Sequence, residues 1–271
     1  GCHHAFDCTK YLEKCIDCPL LHRKRDMLFC KFQFEEKYRI FSKYSNLKII
    51  APSTWLFHLA STSLLFKNKQ LIHIPNLCDI NIFKPMGKGW AKRLFNLSES
   101  KKLILFGAAT GGMGNIYKGW EYLQKAILHL STSSYEAVIF GEYNKTVEKQ
   151  LPIKCNFIGK LYDEYSLSVL YNAADVFVTP SLADNFPNTI LESLSCGTPV
   201  VAFNVGGIPD LIMHKSNGYL AHYKDCEDLK KGIEWCVSQY SIQEVCRSSI
   251  IKKYSPSLII EKHKKLMYGK I

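Results

Sequence analysis

Short apolar runs alternate with segments of helical periodicity from about residue 47 onward, and this alternation most limits the fold. Nearly continuous Val, Ile, Leu and Phe in the short runs are typical of strands buried on both faces of a parallel sheet. Apolar residues three or four apart mark the helices, as at Leu167, Leu170 and Ala174, where Asp163 is placed to cap the helix. The pattern predicts an α/β fold, with helix from Gly207 to the end.

The predicted strands are LKIIAPS (47–53), LIHIP (71–75), KKLILFGAA (101–109), EAVIFGE (136–142), CNFIG (155–159), DVFVTPS (175–181) and PVVAFN (199–204).

A change in composition at residues 79–90, DINIFKPMGKGW, interrupts this pattern. The stretch holds Pro85, Gly87, Gly89 and several lysines but little periodicity, which is typical of a linker between domains. We therefore expect two domains, with their boundary within this stretch.

Positive charge exceeds negative charge, with 35 Lys and Arg against 24 Asp and Glu and a formal net charge of +11. Such an excess attracts phosphates, nucleic acid or an acidic membrane surface, and is equally consistent with a lysine-rich solvated surface. The aromatic residues fall at core spacings, so we do not expect a nucleic-acid partner. No run of 18 apolar residues occurs, so no membrane-spanning helix is predicted.

Four of the eleven cysteines are clustered, since Cys2, Cys8, Cys15 and Cys18 follow a C-x5-C-x6-C-x2-C pattern. Clusters that end in Cys-x2-Cys suit tetrahedral zinc, and an odd total argues against a disulfide framework. We therefore predict a structural zinc site, with reduced free thiols as the alternative. Cys155 and Cys196 lie in apolar stretches and are predicted to be small buried hydrophobes.

Ligands of open α/β sheets bind beyond the carboxyl ends of the strands, which indicates the loops after Phe106, Val178 and Phe203. The loop after Val178 carries Asp184, and Glu192 follows with seven residues between them.

Within this loop, Pro187 fits just before or at a helix start that Asn188 or Thr189 could cap. The first-turn N–H groups would then bind an anion such as a diphosphate. Glu192 would accept hydrogen bonds from ribose hydroxyls, and Asp184 would reach the hydroxyls of a sugar. The alternative is structural, with Thr189-x-x-Glu192 as a capping box and Asp184-Asn185 as a turn pair.

The string DNFPNTILESLSCGTPVVAF and several other segments resemble the retaining glycosyltransferases of family 4, which use nucleotide sugars. The other matching segments are APSTWL (51–56), IPNLCDINIFKP (74–85), FGAATGGMGNIYKG (106–119), LYNAADVFVTPS (170–181) and GGIPDLI (206–212). Residues 1–19, GCHHAFDCTKYLEKCIDCP, resemble a cysteine-rich insert found in one branch of that family.

The resemblance implies a glycosyltransferase B fold. In it, residues 83–254 form a complete donor-binding domain with a doubly wound, Rossmann-like parallel sheet. Residues 1–82 form the C-terminal part of a second Rossmann-like domain, which binds the acceptor, and residues 255–271 form a helix that packs back toward it. The family's first domain begins with a glycine-rich loop and a histidine that this chain is expected to lack, and neither His3 nor His4 is taken as that histidine.

The resemblance also assigns roles to single residues. Glu192 binds the donor ribose, Asp184 contacts the transferred sugar, and Lys118 neutralises the diphosphate, a role that suits a reaction without a catalytic metal. The alternative for Lys118 is a solvated lysine at a helix start. Further donor contacts are expected from Gly107, Asn185, Phe186, Pro187, Asn188 and Thr189.

Two positions depart from the family pattern. Ala108 stands where many members carry an arginine, so the second cation at the phosphates is absent or comes from elsewhere. Asp184 replaces the usual glutamate, which preserves the charge but shortens the side chain by one methylene.

The expected activity is retaining transfer of a hexose-type sugar from a nucleotide-diphosphate sugar to a glycan or lipid-linked acceptor, in polysaccharide or glycoconjugate biosynthesis. We expect a cytoplasmic protein, with the inner membrane face as a peripheral partner. The alternatives are a nucleotide-sugar epimerase and a non-catalytic module that binds sugar nucleotides.

Overall fold

The computed structural model describes residues 8–16, 18, 21, 23–108, 116–142 and 151–269. The chain divides into two compact units, Gly1–Pro75 and Asn76–Ile271. This division falls earlier in the chain than the change in composition that suggested a boundary after residue 82.

The first unit contains one strand–helix–strand element preceded by a long helix. Its elements are a short 3-10 helix (Lys10–Leu12), α1 (Lys24–Lys43), β1 (Lys48–Ala51), α2 (Thr54–Thr62) and β2 (Gln70–His73). Strands β1 and β2 pair in parallel with Lys48 opposite Gln70. Helix α2 begins at a capped turn, because the Ser53 side chain accepts a hydrogen bond from the Leu56 N–H at 3.0 Å.

The second unit is built on a six-stranded sheet in which every pairing is parallel. Its strands are β3 (Lys102–Ala108), β4 (Tyr135–Gly141), β5 (Cys155–Gly159), β6 (Val176–Thr179), β7 (Val200–Phe203) and β8 (Gly218–Ala221). Its helices are α3 (Lys88–Leu94), α4 (Trp120–Leu128), α5 (Glu164–Ala173), α6 (Asn188–Ser195), α7 (Cys226–Ser238), α8 (Ile242–Tyr254) and α9 (Pro256–Tyr268). The predicted α/β class is confirmed.

The strand order is β5-β4-β3-β6-β7-β8. The chain adds β4 and β5 on one side of β3 and then adds β6, β7 and β8 on the other side. The helices that follow β3 and β6, α4 and α6, therefore lie on opposite faces of the sheet. Such a reversal point opens a crevice at the carboxyl ends of the strands, where ligands bind in α/β sheets.

The core lies on both faces of the central strands. Leu103 and Leu105 of β3 and Val200 of β7 are fully buried, as the continuous apolar runs predict. Cys196 is fully buried as predicted, whereas Cys155 is only partly buried, which corrects its assignment to the core. Asp163 caps α5 as predicted, since its carboxylate accepts from the Ser166 N–H at 2.7 Å.

Strand β8 corrects the prediction of helix from Gly207 onward. It holds only GYLA and pairs with β7, with Gly218 opposite Val200. These residues lack the continuous β-branched and apolar run of the other strands, so only the neighbouring strand reveals them as β-structure.

Residues 79–87 are not a free linker, because side chains of two helices, α5 and α8, bind their carbonyl groups. Ser168 donates to the Ile82 carbonyl at 2.8 Å, Asn172 to the Lys84 carbonyl at 3.0 Å, and Arg247 to the Ile80 carbonyl at 2.8 Å. The segment therefore belongs to the second unit. Its composition does not predict this, because the partners are backbone groups reached by distant side chains.

In the described part of the chain, no helix is both long and apolar enough to cross a membrane.

A buried ion pair ties α3 to the sheet at the start of β6. Asp175 accepts hydrogen bonds from the Leu103 N–H at 2.9 Å, from Lys88 Nζ at 3.0 Å and from Lys92 Nζ at 3.2 Å. Burial raises the pKa of Asp175, but the charge of Lys88, the Leu103 N–H and the charge of Lys92 outweigh it, so the pKa is lowered. The stability that Asp175 contributes is present above the ordinary aspartate pKa and is lost as the pH falls through the lowered value.

We expect Asp175→Ala to lower the free energy of unfolding by about 3 kcal/mol, because it leaves the buried Lys92 ammonium without its carboxylate. Urea unfolding measures the change. The control is Glu99→Ala, whose ion pair with Arg93 is exposed and whose loss should change stability by less than about 0.5 kcal/mol. Equal effects of the two substitutions would contradict the role given to Asp175.

Candidate functional site

The loops that leave β3 and β6 touch each other beside Lys118. The Leu182 N–H donates to the Tyr117 carbonyl at 2.8 Å. Gly119 has a left-handed φ of 62°, and a Cβ at this position would collide with the carbonyl oxygen of Pro180. Only glycine permits this close approach, which fixes Lys118 against the loop after β6. Residues 109–115, the glycine-rich part of the loop after β3, lie outside the described residues.

Lys118 and Asp184 are brought together, with 3.4 Å between Lys118 Nζ and Asp184 Oδ2. Their side chains are 38% and 20% exposed. Both groups therefore keep contact with solvent, so the pair contributes little to folding stability, and the lysine remains accessible to a competing anion.

The loop after β7 holds the backbone of Asp184. The Gly207 N–H donates to the Asp184 carbonyl at 3.1 Å. Gly206 has a left-handed φ of 59°, and a Cβ there would collide with the same carbonyl oxygen. All three loops predicted from strand ends therefore contribute to one site, although no role for Gly206 and Gly207 was inferred from sequence.

The start of α6 differs from the prediction that Asn188 or Thr189 caps it. The helix begins at Asn188, Pro187 occupies the cap position, and no side chain among the described residues caps it. Thr189 lies inside the first turn, so the alternative capping box with Glu192 is not formed. Glu192 therefore does not act as a capping residue of α6.

Asn76 supports the start of α6 from a distant part of the chain. Its Nδ2 donates to Asn188 Oδ1 at 2.9 Å and lies 3.5 Å from the Phe186 carbonyl oxygen. Sequence reasoning missed this role, although Asn76 lies within the IPN segment that the family resemblance includes.

The remaining residues predicted to contact a donor have different surroundings. Phe186 is 5% exposed and packs its ring against Tyr254, so only its backbone is available to a ligand. Asn185 and Pro187 are partly buried on the loop. Gly107 is exposed near the carboxyl end of β3, opposite Phe140.

Glu192 lies one turn into α6 with a partly buried carboxylate. The Tyr171 hydroxyl donates to Glu192 Oε2 at 3.1 Å. Burial raises the pKa of Glu192 to about 7, the Tyr171 hydrogen bond opposes this rise, and the charge of Glu164 adds to it. Glu192 therefore changes its charge near neutral pH.

Of the predicted zinc ligands, Cys2 lies outside the described residues, Cys15 is buried, and Cys8 and Cys18 are partly buried. Cys30 of α1 donates to the Cys15 carbonyl at 3.8 Å. Within the described residues, no three His, Cys, Asp or Glu side chains lie close enough to hold a metal ion. Zinc binding by Cys2, Cys8, Cys15 and Cys18 therefore stays a prediction.

The amino-acid sequence is similar to known glycosyltransferases. An uncharacterized glycosyltransferase of Methanocaldococcus jannaschii, MJ1607, is 30% identical over 176 residues, which cover 60% of this chain and 44% of that protein. The sulfoquinovosyl transferase SQD2 of Arabidopsis thaliana is 33% identical over 140 residues, covering 50% of this chain and 26% of that protein. The chain thus spans less than half the length of these relatives.

Solved structures share the fold. Sucrose-phosphate synthase from Thermosynechococcus elongatus superposes with a TM-score of 0.73 at 21% identity, over 92% of this chain and 62% of that one. Anabaena Alr3699/HepE in complex with UDP-glucose gives a TM-score of 0.71 at 18% identity, over 92% of this chain and 69% of that one. These likenesses confirm the glycosyltransferase B type of fold.

A family model described as "Glycosyl transferases group 1" matches residues 104–239, which is half of the chain. The match begins within β3 and ends just after α7, so it includes Lys118, Asp184 and Glu192. The chain therefore belongs to the group 1 glycosyl transferases.

Proposed function

We propose that this chain carries the donor site of a retaining glycosyltransferase that moves a hexose-type sugar from a nucleotide-diphosphate sugar to a glycan or lipid-linked acceptor. The observation that carries the proposal is the 3.4 Å contact between Lys118 Nζ and Asp184 Oδ2, on the loops that lead into α4 and α6. The whole protein's activity is part of the proposal, because the chain spans less than half of the first relatives.

The diphosphate would lie between Lys118 and the start of α6. The first-turn amides of a helix favour an anion, and Lys118 adds a full positive charge beside them. Phosphate oxygens would compete with Asp184 for the ammonium group. When the bond from the anomeric carbon to the diphosphate breaks, negative charge grows on the departing phosphate, where a cation already in place stabilises it most.

The two carboxylates would recognise the two ends of the donor. Glu192, further into α6, would accept hydrogen bonds from ribose hydroxyls, whereas Asp184, on the loop beside Lys118, would contact the transferred sugar. Uridine nucleotides are the first donors to test, because HepE shares the fold and its structure holds UDP-glucose. A lipid-linked acceptor would bring the enzyme to an acidic membrane surface, to which a net charge of +11 is attracted.

We expect Glu192→Ala in the full-length protein to weaken donor binding at least about 100-fold, because the ribose loses hydrogen bonds to a charged acceptor. Calorimetric titration with UDP-glucose, GDP-mannose and ADP-glucose measures binding. Glu244→Ala is the control, since Glu244 is an exposed glutamate of α8 in the same unit. Unchanged donor affinity and turnover in Glu192→Ala would contradict the assignment.

We expect Lys118→Met to lower kcat about 100-fold or more with a smaller change in KM, because its charge is needed most as the diphosphate departs. Release of nucleotide diphosphate in the presence of acceptor gives both constants. The matched control is Lys125→Met, an exposed lysine on α4. Equal losses of kcat in Lys118→Met and Lys125→Met would contradict the role proposed for Lys118.

Product identification separates transfer from epimerisation. A transferase forms a glycosylated acceptor, and NMR of the anomeric proton reports whether configuration is retained. An epimerase converts the nucleotide sugar without any acceptor, and such a product would contradict the proposal.

A further inference from the structure

Tyr171 is a fully buried tyrosine whose hydroxyl reaches the carboxylate proposed to bind the ribose. It lies on α5, and its hydroxyl donates to Glu192 Oε2 on α6 at 3.1 Å. A buried phenol needs a hydrogen-bond partner, and here the partner belongs to the candidate site.

The Tyr171 ring is held rigidly. The rings of Phe177, Phe83 and Phe140 pack edge-on against it, with centroids 5.4, 6.3 and 6.3 Å away. Its carbonyl accepts from Thr198 Oγ1 at 2.7 Å. Because the ring has no room to turn, the position of the hydroxyl is set by the core.

This fixed donor restricts the Glu192 side chain. With Oε2 bound to Tyr171, the rotation of the carboxylate is restricted, and Oε1, which bonds to none of the described residues, can accept from a ligand. A hydroxyl that donates also favours the ionised carboxylate, which accepts stronger hydrogen bonds than the neutral acid.

We propose that Tyr171 is a positioning residue for donor binding, which holds the Glu192 carboxylate oriented and ionised for the ribose hydroxyls without touching the donor itself. The inference rests on the proposed function and adds to it a residue in the core and a dependence on pH.

Among the described residues, the titratable groups that face Glu192 are Tyr171, Cys78, Cys196 and Glu164. Burial raises the pKa of Tyr171 far above its ordinary value, so it stays a donor. Burial also raises the pKa of Cys78, which precedes α3, and of Cys196, at the end of α6, to about 12, so both thiols stay neutral. Glu164 on α5 is the charged neighbour, and its charge raises the pKa of Glu192.

The pKa of Glu192 is raised to about 7, so its ionised form is lost as the pH falls through that value. Donor affinity should therefore rise as the pH increases through about 7. Removing the Tyr171 hydroxyl should move the midpoint of this rise upward, and removing the Glu164 charge should move it downward.

We expect Tyr171→Phe to weaken UDP binding about tenfold at pH 7 and to move the midpoint upward by about one pH unit. Titration calorimetry of the full-length protein with UDP, with GDP and ADP in parallel, across a pH series gives both values. Glu164→Gln should move the midpoint in the opposite direction, and this variant tests the predicted dependence of UDP binding on Glu192 ionisation even if Tyr171→Phe folds poorly.

The matched control is Tyr219→Phe. Tyr219 of β8 is 7% exposed and donates its hydroxyl to Oδ1 of Asp228 on α7 at 2.8 Å, so the same group is removed from another buried tyrosine–carboxylate pair. If removing the hydroxyl acted only by weakening the fold, Tyr171→Phe and Tyr219→Phe would change UDP binding alike. The control should leave the pH profile of UDP binding unchanged.

NMR of protein labelled at the glutamate carboxyl carbons measures the Glu192 titration. It distinguishes failure of the inference from failure of the proposed function. A midpoint that is the same with and without the Tyr171 hydroxyl overturns the inference and leaves the donor site standing. A shifted midpoint with UDP binding that is independent of pH also overturns it. If the unaltered protein binds none of the three nucleotides, the proposed function fails and the inference fails with it.

Discussion

The parallel pairing of β3 with both β4 and β6 is the constraint on which the rest of the second unit depends. It places β3 at the point where the strand order reverses, so that the loops leaving β3 and β6 start side by side. The contact between Gly119 and the Pro180 carbonyl is available only because those strand ends are neighbours. The same contact fixes the position of Lys118, because Lys118 is the residue directly before Gly119.

Each charged group at the site has surroundings that suit a different task. Lys118 and Asp184 remain partly exposed, so their charges are available to a ligand at little cost in stability. Glu192 is partly buried against α5, where burial and the charge of Glu164 oppose its ionisation and Tyr171 favours it. By contrast, the buried Asp175 is paired with two lysines and serves the fold alone. Carboxylates of this unit thus differ in exposure and in charge partners according to what is packed around them.

Much of the fold could be predicted from the sequence, and the exceptions have physical reasons. Strands β3 to β7 and the cap of α5 by Asp163 follow from local patterns, because continuous apolar runs and capping residues act within a few positions. Strand β8 could not be predicted, since its four residues become a strand only beside β7. The cap of α6 was assigned to Asn188 or Thr189, but the Asn188 side chain instead accepts from Asn76, which is remote in sequence.

The sequence by itself determined the α/β class, the three loops of the candidate site, and Asp184 and Glu192 as candidate residues, because strand ends and residue types are local properties. Lys118 is a candidate through the resemblance to family 4. Tertiary structure alone decided that Lys118 pairs with Asp184, that Gly206 and Gly207 hold Asp184, and that Tyr171 reaches Glu192. The reason is that these contacts join residues from different loops and helices, and only the packing of the sheet brings them within hydrogen-bonding distance.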